Sequence, residues 1–158
     1  MAGWVAASDD VTLPAGTPTY AIGDLVANSA TAGSVVPLII AADPGTQAFW
    51  LRKLTLRHSQ ASVTNSNFRL WGMNASPTVT NGDDGALAGT FLATVLFEPI
   101  LVDVEALLTG GGAIGSSLFD AGLLRIPKTS YWLIEARAAY TRAAAEVFTL
   151  ELEGEPCP

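Results

Sequence analysis

The segment FWLRKLTLRHS, residues 49–59, alternates in character. Trp50, Leu54, Leu56 and His58 share one parity, and Lys53, Thr55 and Arg57 share the other. A period of two puts these sets on opposite faces of a β-strand, one apolar and one cationic. Arg52 breaks the apolar parity and is read as the frayed beginning of that strand. On either side lie similar short runs separated by Gly, Pro, Asn and Asp. Upstream are residues 20–27 (YAIGDLVA), interrupted at Gly23-Asp24, and residues 35–41 (VVPLIIA), followed by the turn Asp43-Pro44-Gly45. Pro37 lacks a ladder donor and marks the second run as an edge strand or bulge. Downstream, residues 67–73 (NFRLWGM) carry bulk on both faces and are expected to be covered on both sides. Residues 90–97 (TFLATVLF) read as a strand stopped by Pro99, and residues 100–108 fit either its continuation or a helical turn. Residues 131–140 (YWLIEARAAY) and 146–153 (EVFTLELE) complete the set.

About eight short strands with Gly/Pro turns mean an all-β sandwich or barrel, and eight suit a jelly-roll β-sandwich. At 158 residues the chain fits one domain, able to bury roughly 70% of its unfolded surface. The expected division is an extended N-terminal arm over residues 1–18, a jelly-roll domain over 19–154 and a C-terminal tail over 155–158. Residues 74–89 form a connection longer than is usual, and such connections tend to be functional. Hydrophobic residues make up 49% of the chain and charged residues 15%, and the mean hydropathy is +0.36. Low charge with high hydropathy points to apolar surface covered by partners. The net charge is −7, with no Lys or Arg before Arg52, which argues against nucleic acid and against an acidic membrane surface. No apolar run approaches the roughly 18 residues of a membrane helix. The opening MAGWVAASDD has neither a basic region nor a long apolar core, so it does not read as a signal peptide and synthesis in the cytoplasm is expected.

Catalytic vocabulary is sparse. A serine triad would need His58, the single histidine, which sits on an apolar parity where a packed, hydrogen-bonded role is expected. Cys157 is the single cysteine, so neither an intrachain disulfide nor a Cys/His zinc site can form within one chain. Asp83-Asp84 lies beside glycine and reads as a turn, with a loop calcium site at Asn81, Asp83 and Asp84 as the functional alternative. Asp103 and Glu105 share a parity and read as a solvated face rather than a hydrolytic pair. Gly110-Gly111-Gly112 lacks the lysine of a phosphate-binding loop and reads as a hinge or tight turn. Trp4, Trp50, Trp71 and Trp132 are core or interface anchors, or else sugar-stacking platforms. Arg52, Arg57 and Arg69 are read as lying on neighbouring strands, balancing acids of the same chain or meeting an acidic partner. No enzyme, cofactor or metal is expected.

Three segments together resemble a known family. Residues 20–27 are similar to the "Y-x-x-G-D-V-V" opening of small tailed-phage head proteins. Asn67-Phe68-Arg69-Leu70-Trp71, followed by Pro77, is similar to their "F-R-L-h-L…P" strand and loop. Ala139-Tyr140-Thr141-Arg142 through Glu146-Val147-Phe148-Thr149-Leu150-Glu151-Leu152 resembles their "Y-T-P-x-x-x-E-x-F-T-V-x-L" ending, with Arg142 where the family often has Pro. The family is the jelly-roll capsid decoration (cement) proteins of tailed bacteriophages. The resemblance implies a non-enzymatic homotrimer, alternatively a homodimer, that binds the major capsid protein on the outer surface of the virion and stabilises the shell against DNA pressure. It supplies no catalytic residue. The expected capsid contacts are Trp4, Val5, Val11 and Leu13 of the arm, ordered on binding. The alternatives are another virion structural part, of a tail or fibre, and a carbohydrate-binding jelly roll with one or two exposed tryptophans.

Overall fold

A computed structural model describes residues 4–60, 66–107, 111–120 and 122–157. The strands are β1 (Val5–Thr12), β2 (Thr19–Tyr20), β3 (Leu25–Val26), β4 (Leu38–Ala41), β5 (Ala48–His58), β6 (Ser66–Met73) and β7 (Thr78–Val79). They continue with β8 (Gly89–Thr90), β9 (Ile100–Ala106), β10 (Ala113–Leu118), β11 (Arg125–Pro127), β12 (Thr129–Ala136), β13 (Tyr140–Thr141) and β14 (Val147–Pro156). Helical structure among the described residues is confined to two 3-10 turns, Ala32–Ser34 and Leu92–Thr94.

Eight of these strands have four or more residues: β1, β4, β5, β6, β9, β10, β12 and β14. They pair in nested fashion, first with last and inward: β1 with β14, β4 with β12, β5 with β10, β6 with β9, all antiparallel. One layer runs β1-β14-β5-β10 and the other β4-β12-β6-β9, joined through the β9–β10 hairpin at Ala113↔Ala106. This is a long antiparallel ribbon rolled over on itself, the jelly roll. The core lies between the layers. Leu54, Leu56, Phe148, Leu150 and Leu152 from one sheet meet Phe68, Leu70, Val104, Trp132 and Ile134 from the other. Each such side chain contributes about 1.5–3 kcal/mol on burial.

Three expectations are corrected by this architecture. Residues 5–12 are not an arm but the first strand of the roll, laddered along the whole of β14 from Val5↔Gly154 to Thr12↔Val147. The tail likewise lies in the sheet: Glu155 and Pro156 pair with Trp50 and Phe49, and the Cys157 N–H donates to the Ala48 carbonyl at 2.8 Å. Residues 90–97 are not a strand. Gly89–Thr90 pairs with β7, the chain then turns at Leu92–Thr94, and Val95 makes a single bridge to Met73 as the segment crosses the outer face of the second sheet. Phe91 is drawn inward there, and the ladder starts at Ile100.

The parity of β5 also differs from its simple reading. Phe49 and Leu51 face the core, yet so do Leu54, Leu56 and His58. Opposite them, Glu153 pairs with Lys53 while Gly154 pairs with Leu51, so Arg52 is the extra residue of a β-bulge. A bulge inserts one residue and flips every side chain beyond it. Arg52 therefore marks a mid-strand irregularity rather than a frayed end, and Trp50 lies half-buried on the outer face. Gly154 is where the strands close up, since a Cβ there would stand 2.1 Å from the Trp50 carbonyl oxygen.

Residues 74–99 fold over the outside of β6 and β12 and build a small second core of Leu25, Ala27, Met73, Val79, Phe91 and Leu133. That cover packs on Trp71, Met73, Tyr131 and Leu133 of the outer face, in keeping with the bulk that the sequence of β6 places on both sides.

Candidate functional site

The residues that carry the family resemblance converge inside the sandwich. Tyr20 on β2 stacks on Tyr140 of β13, its register partner, with ring centroids 4.9 Å apart. Phe68 meets Tyr140 edge-on at 5.6 Å and Phe148 at 5.2 Å. Phe148 then meets His58 at 4.3 Å. A buried polar pair closes each end of this aromatic column. At one end Arg142 Nη1 lies 3.1 Å from Asp83 Oδ2, with its guanidinium carbon 5.8 Å above the Tyr20 ring. The Tyr20 hydroxyl donates to Asp83 Oδ1 at 2.6 Å, and so does the Ala27 N–H at 2.9 Å. At the other end His58 Nε2 lies 2.7 Å from Glu146 Oε2, while the Ala143 N–H donates to Glu146 Oε1 at 2.5 Å.

Burial pushes the Asp83 carboxyl above the ordinary carboxylate range, against the opposing pull of Tyr20, Ala27 and Arg142. Asp84 is raised too, by burial first and then by the charge of Asp24. Burial also drives the Tyr20 and Tyr140 phenols well up, helped at Tyr20 by the hydrogen bond to Asp83 and at Tyr140 by the charge of Glu146. His58 and Glu146 have no exposed side-chain surface, so no substrate reaches the imidazole. The column is a keystone of the fold. Arg142, the departure from the family pattern, acts in it by pinning the 74–89 connection through Asp83. No sequence signal pairs these two residues, because their proximity depends on the roll itself.

The other candidates separate. Asn81 Nδ2 donates to the Ala86 carbonyl, Asp83 points inward, and Asp84 adopts a left-handed φ of 64° at a turn, so the three do not converge on a cation. Asp103 and Glu105 are exposed on the outer face of β9. Gly110 lies outside the described residues, and Gly112 accepts from the Leu107 N–H. Arg52 and Arg57 do not share a sheet with Arg69. The first two pair with Glu155 and Glu151 on the outer face of the β1 sheet, and Arg69 pairs with Glu135 on the outer face of the opposite one.

Of the four expected contact residues, Val5, Val11 and Leu13 are buried in the core, and Trp4 is exposed. Its indole N–H donates to Glu153 at 3.3 Å. Trp4 adjoins Leu118 and Phe119 around a shallow hollow with Arg52 and Lys53. Ile114 and Leu118 project from β10 on the same outer face, Leu118 at 78% exposure. Sequence reading missed this set because the alternation of β10 is hidden by its Gly and Ser residues. It also missed Glu135, a carboxylate 5% exposed on β12. A lone acid inside the apolar run YWLIEA was the available signal.

No family model matches the chain, and no curated protein matches it. Among solved structures, it is similar to the capsid asymmetric unit of cyanophage Pam1, at 11% identity and a TM-score of 0.40, over 99% of this chain and 86% of that one. The vertex protein P5 of PRD1 gives 10% identity and 0.37, over 96% and 97%. A CBM35 from Cellvibrio japonicus Abf62 gives 12% and 0.36, over 90% and 91%. Likeness this distant says nothing about function.

Proposed function

We propose that this chain is a non-enzymatic structural protein of a virus particle, a decoration protein that binds the outer surface of the capsid lattice. The observation that carries this reading is the outer face of the β1-β14-β5-β10 sheet. Trp4, Ile114 and Leu118 project from it into solvent around the pairs Arg57–Glu151 and Lys53–Glu153. Exposed apolar side chains set among compensated charges suit a protein–protein contact. The three family-like segments support the same reading, since they supply the packed column that holds the roll together. In this proposal Trp4, Ile114, Leu118 and Phe119 contact the shell, and the buried Val5, Val11 and Leu13 anchor β1 and the chain after it in the core. The unit is a homotrimer, and sedimentation equilibrium distinguishes it from a homodimer. Many such units clamp neighbouring coat subunits, and linked weak contacts accumulate avidity.

The test is sedimentation of the native particle with this chain quantified against the coat protein. Copies comparable to the coat subunits, lost together with head stability under mild stripping, are expected. A handful of copies would reassign it to a tail or fibre, and none would remove it from the virion. The double variant Trp4→Ala, Leu118→Asp is expected to lose occupancy at least tenfold while its urea midpoint stays close to that of the parent. Undiminished occupancy would exclude this face as the contact.

A further inference from the structure

The cover formed by residues 74–99 leaves an open cleft of about 320 Å³ at its margin, on the sheet face opposite the proposed shell contact. Arg69, Trp71 and Glu135 line it from the sheet, and Leu87, Phe91 and Leu92 line it from the cover. Glu135 receives the Trp71 indole N–H at 2.8 Å, Arg137 Nη1 at 3.1 Å and Arg69 Nη1 at 3.4 Å. A carboxylate this buried is costly unless every lone pair is met, and an apolar residue would fill the position with less penalty. What the carboxylate achieves is orientation. It holds the edge of Trp71 and one nitrogen of Arg69 in fixed positions, and Phe91 braces the Trp71 ring edge-on at 5.6 Å. On the outer face of the other sheet each ion pair joins one acid to one cation, Arg52–Glu155, Lys53–Glu153 and Arg57–Glu151. Gly23 stands at the rim with φ +96°, and a Cβ there would meet nothing within 4 Å, so the mouth is bounded by bare backbone.

We infer that this cleft is a saccharide-binding site. Ligand clefts combine apolar and aromatic walls with a few fixed polar groups, and about 320 Å³ is the lower end of their range, suited to one or two sugar rings. A sugar ring has the matching chemistry: C–H faces for the walls of Trp71, Phe91 and Leu92, and hydroxyls at its edge for Arg69. The cleft lining itself carries one cation, Arg69, and one anion, Glu135, which Arg137 shares from outside it. Two of the four tryptophans line a hollow and donate to a carboxylate, Trp4 to the half-buried Glu153 at 3.3 Å and Trp71 to the buried Glu135 at 2.8 Å, and the tighter bond to the buried acid is that of Trp71. Trp132 is enclosed in the core, and Trp50 and Trp4 lie on the opposite sheet. This inference does not depend on the capsid role, since the two surfaces belong to different sheets.

The test is NMR titration of the full ¹⁵N-labelled chain with neutral hexoses, N-acetylhexosamines and their disaccharides, to tens of millimolar. Saturable shifts of the Trp71 indole resonance and the Gly23 and Gly89 amides are expected, with a dissociation constant on the order of 1 mM. Arg69→Ala is expected to weaken binding roughly tenfold, the worth of one hydrogen bond to a charged group. Leu92→Asp, at an exposed rim position that leaves the fold intact, is expected to weaken it several-fold. Either variant is expected to leave particle occupancy unchanged. Absence of shifts with every sugar, or shifts scattered away from the cleft, would overturn the inference. So would the same resonances responding to coat-protein peptides and to no sugar.

Discussion

Asp83 and Arg142 illustrate how one buried contact holds a long connection. Asp83 is the acceptor for Tyr20 and Ala27 as well as the partner of Arg142, which is itself 4% exposed. Asp83→Ala leaves that guanidinium without its counter-charge and is expected to cost about 3–5 kcal/mol in urea unfolding. The two stacked phenols give a second expectation. Both are raised by burial, so below about pH 10 they are neutral in the folded and the unfolded chain alike. Above it the unfolded chain ionises and the folded chain does not, so stability falls by up to about 1.4 kcal/mol per pH unit for each tyrosine. Circular dichroism against pH, read with phenolate absorbance, is expected to show the two phenols ionising only as the fold melts. Tyr140→Phe is expected to halve that slope at little cost below it, because the Tyr140 hydroxyl is buried with no hydrogen-bond partner among the described residues. Neither contact is legible in the sequence, since a charge pair 59 positions apart has no local signature.

At the level of the strand, what could be read depended on alternation. β14 alternates Phe148, Leu150 and Leu152 against Val147, Thr149 and Glu151, and its side chains divide between core and outer face in that order. β1 reads VAASDDVT, with only Val5 and Val11 fully buried, so neither its pattern nor its composition announces a strand. Its Asp9 even turns to the other layer, accepting the Ile39 N–H of β4 at 2.7 Å across the open edges of the sandwich. In β5 the alternation was visible but out of phase on one side of Arg52, and only the pairing partner reveals the bulge. That bulge has a direct test. Gly154→Ala sets a methyl against the Trp50 carbonyl and the Phe49 ring and is expected to cost about 1–3 kcal/mol, read as a lowered urea midpoint with an unchanged m-value. The cleft was half legible. The parity of Arg69 and Trp71 on β6 can be read, whereas the register that brings Glu135 opposite Arg69 is a property of the folded sheet.

For the molecule as a whole, the nested pairing makes both ends of the described chain structural. Removing residues 1–13 takes away Val5, Val11 and Leu13, together about 5–9 kcal/mol of burial. That is comparable to the whole stability of an ordinary domain. The truncated chain is expected to lose its cooperative melt in calorimetry, where a dispensable arm would leave the melt intact. The fold class itself was legible because turn signals and apolar runs recur along the chain. The winding of the runs into two layers was implied by their number and by the resemblance, since no local feature states which strand meets which.

The same nesting bears on how the molecule is made. Val5 reaches its partner Gly154 only when every strand between them has left the ribosome. The innermost hairpin, β6 with β9, can close early, but each outer pair spans a longer loop with a larger entropic cost of closure. Folding is therefore expected to proceed from the innermost pair outward and to finish with β1 on β14. Until then the inward faces of β1 and β5 stay open to solvent and to one another's copies. Nascent chains on one polysome are thus exposed to mispairing, and loss of β14 would damage the protein as thoroughly as loss of a central strand.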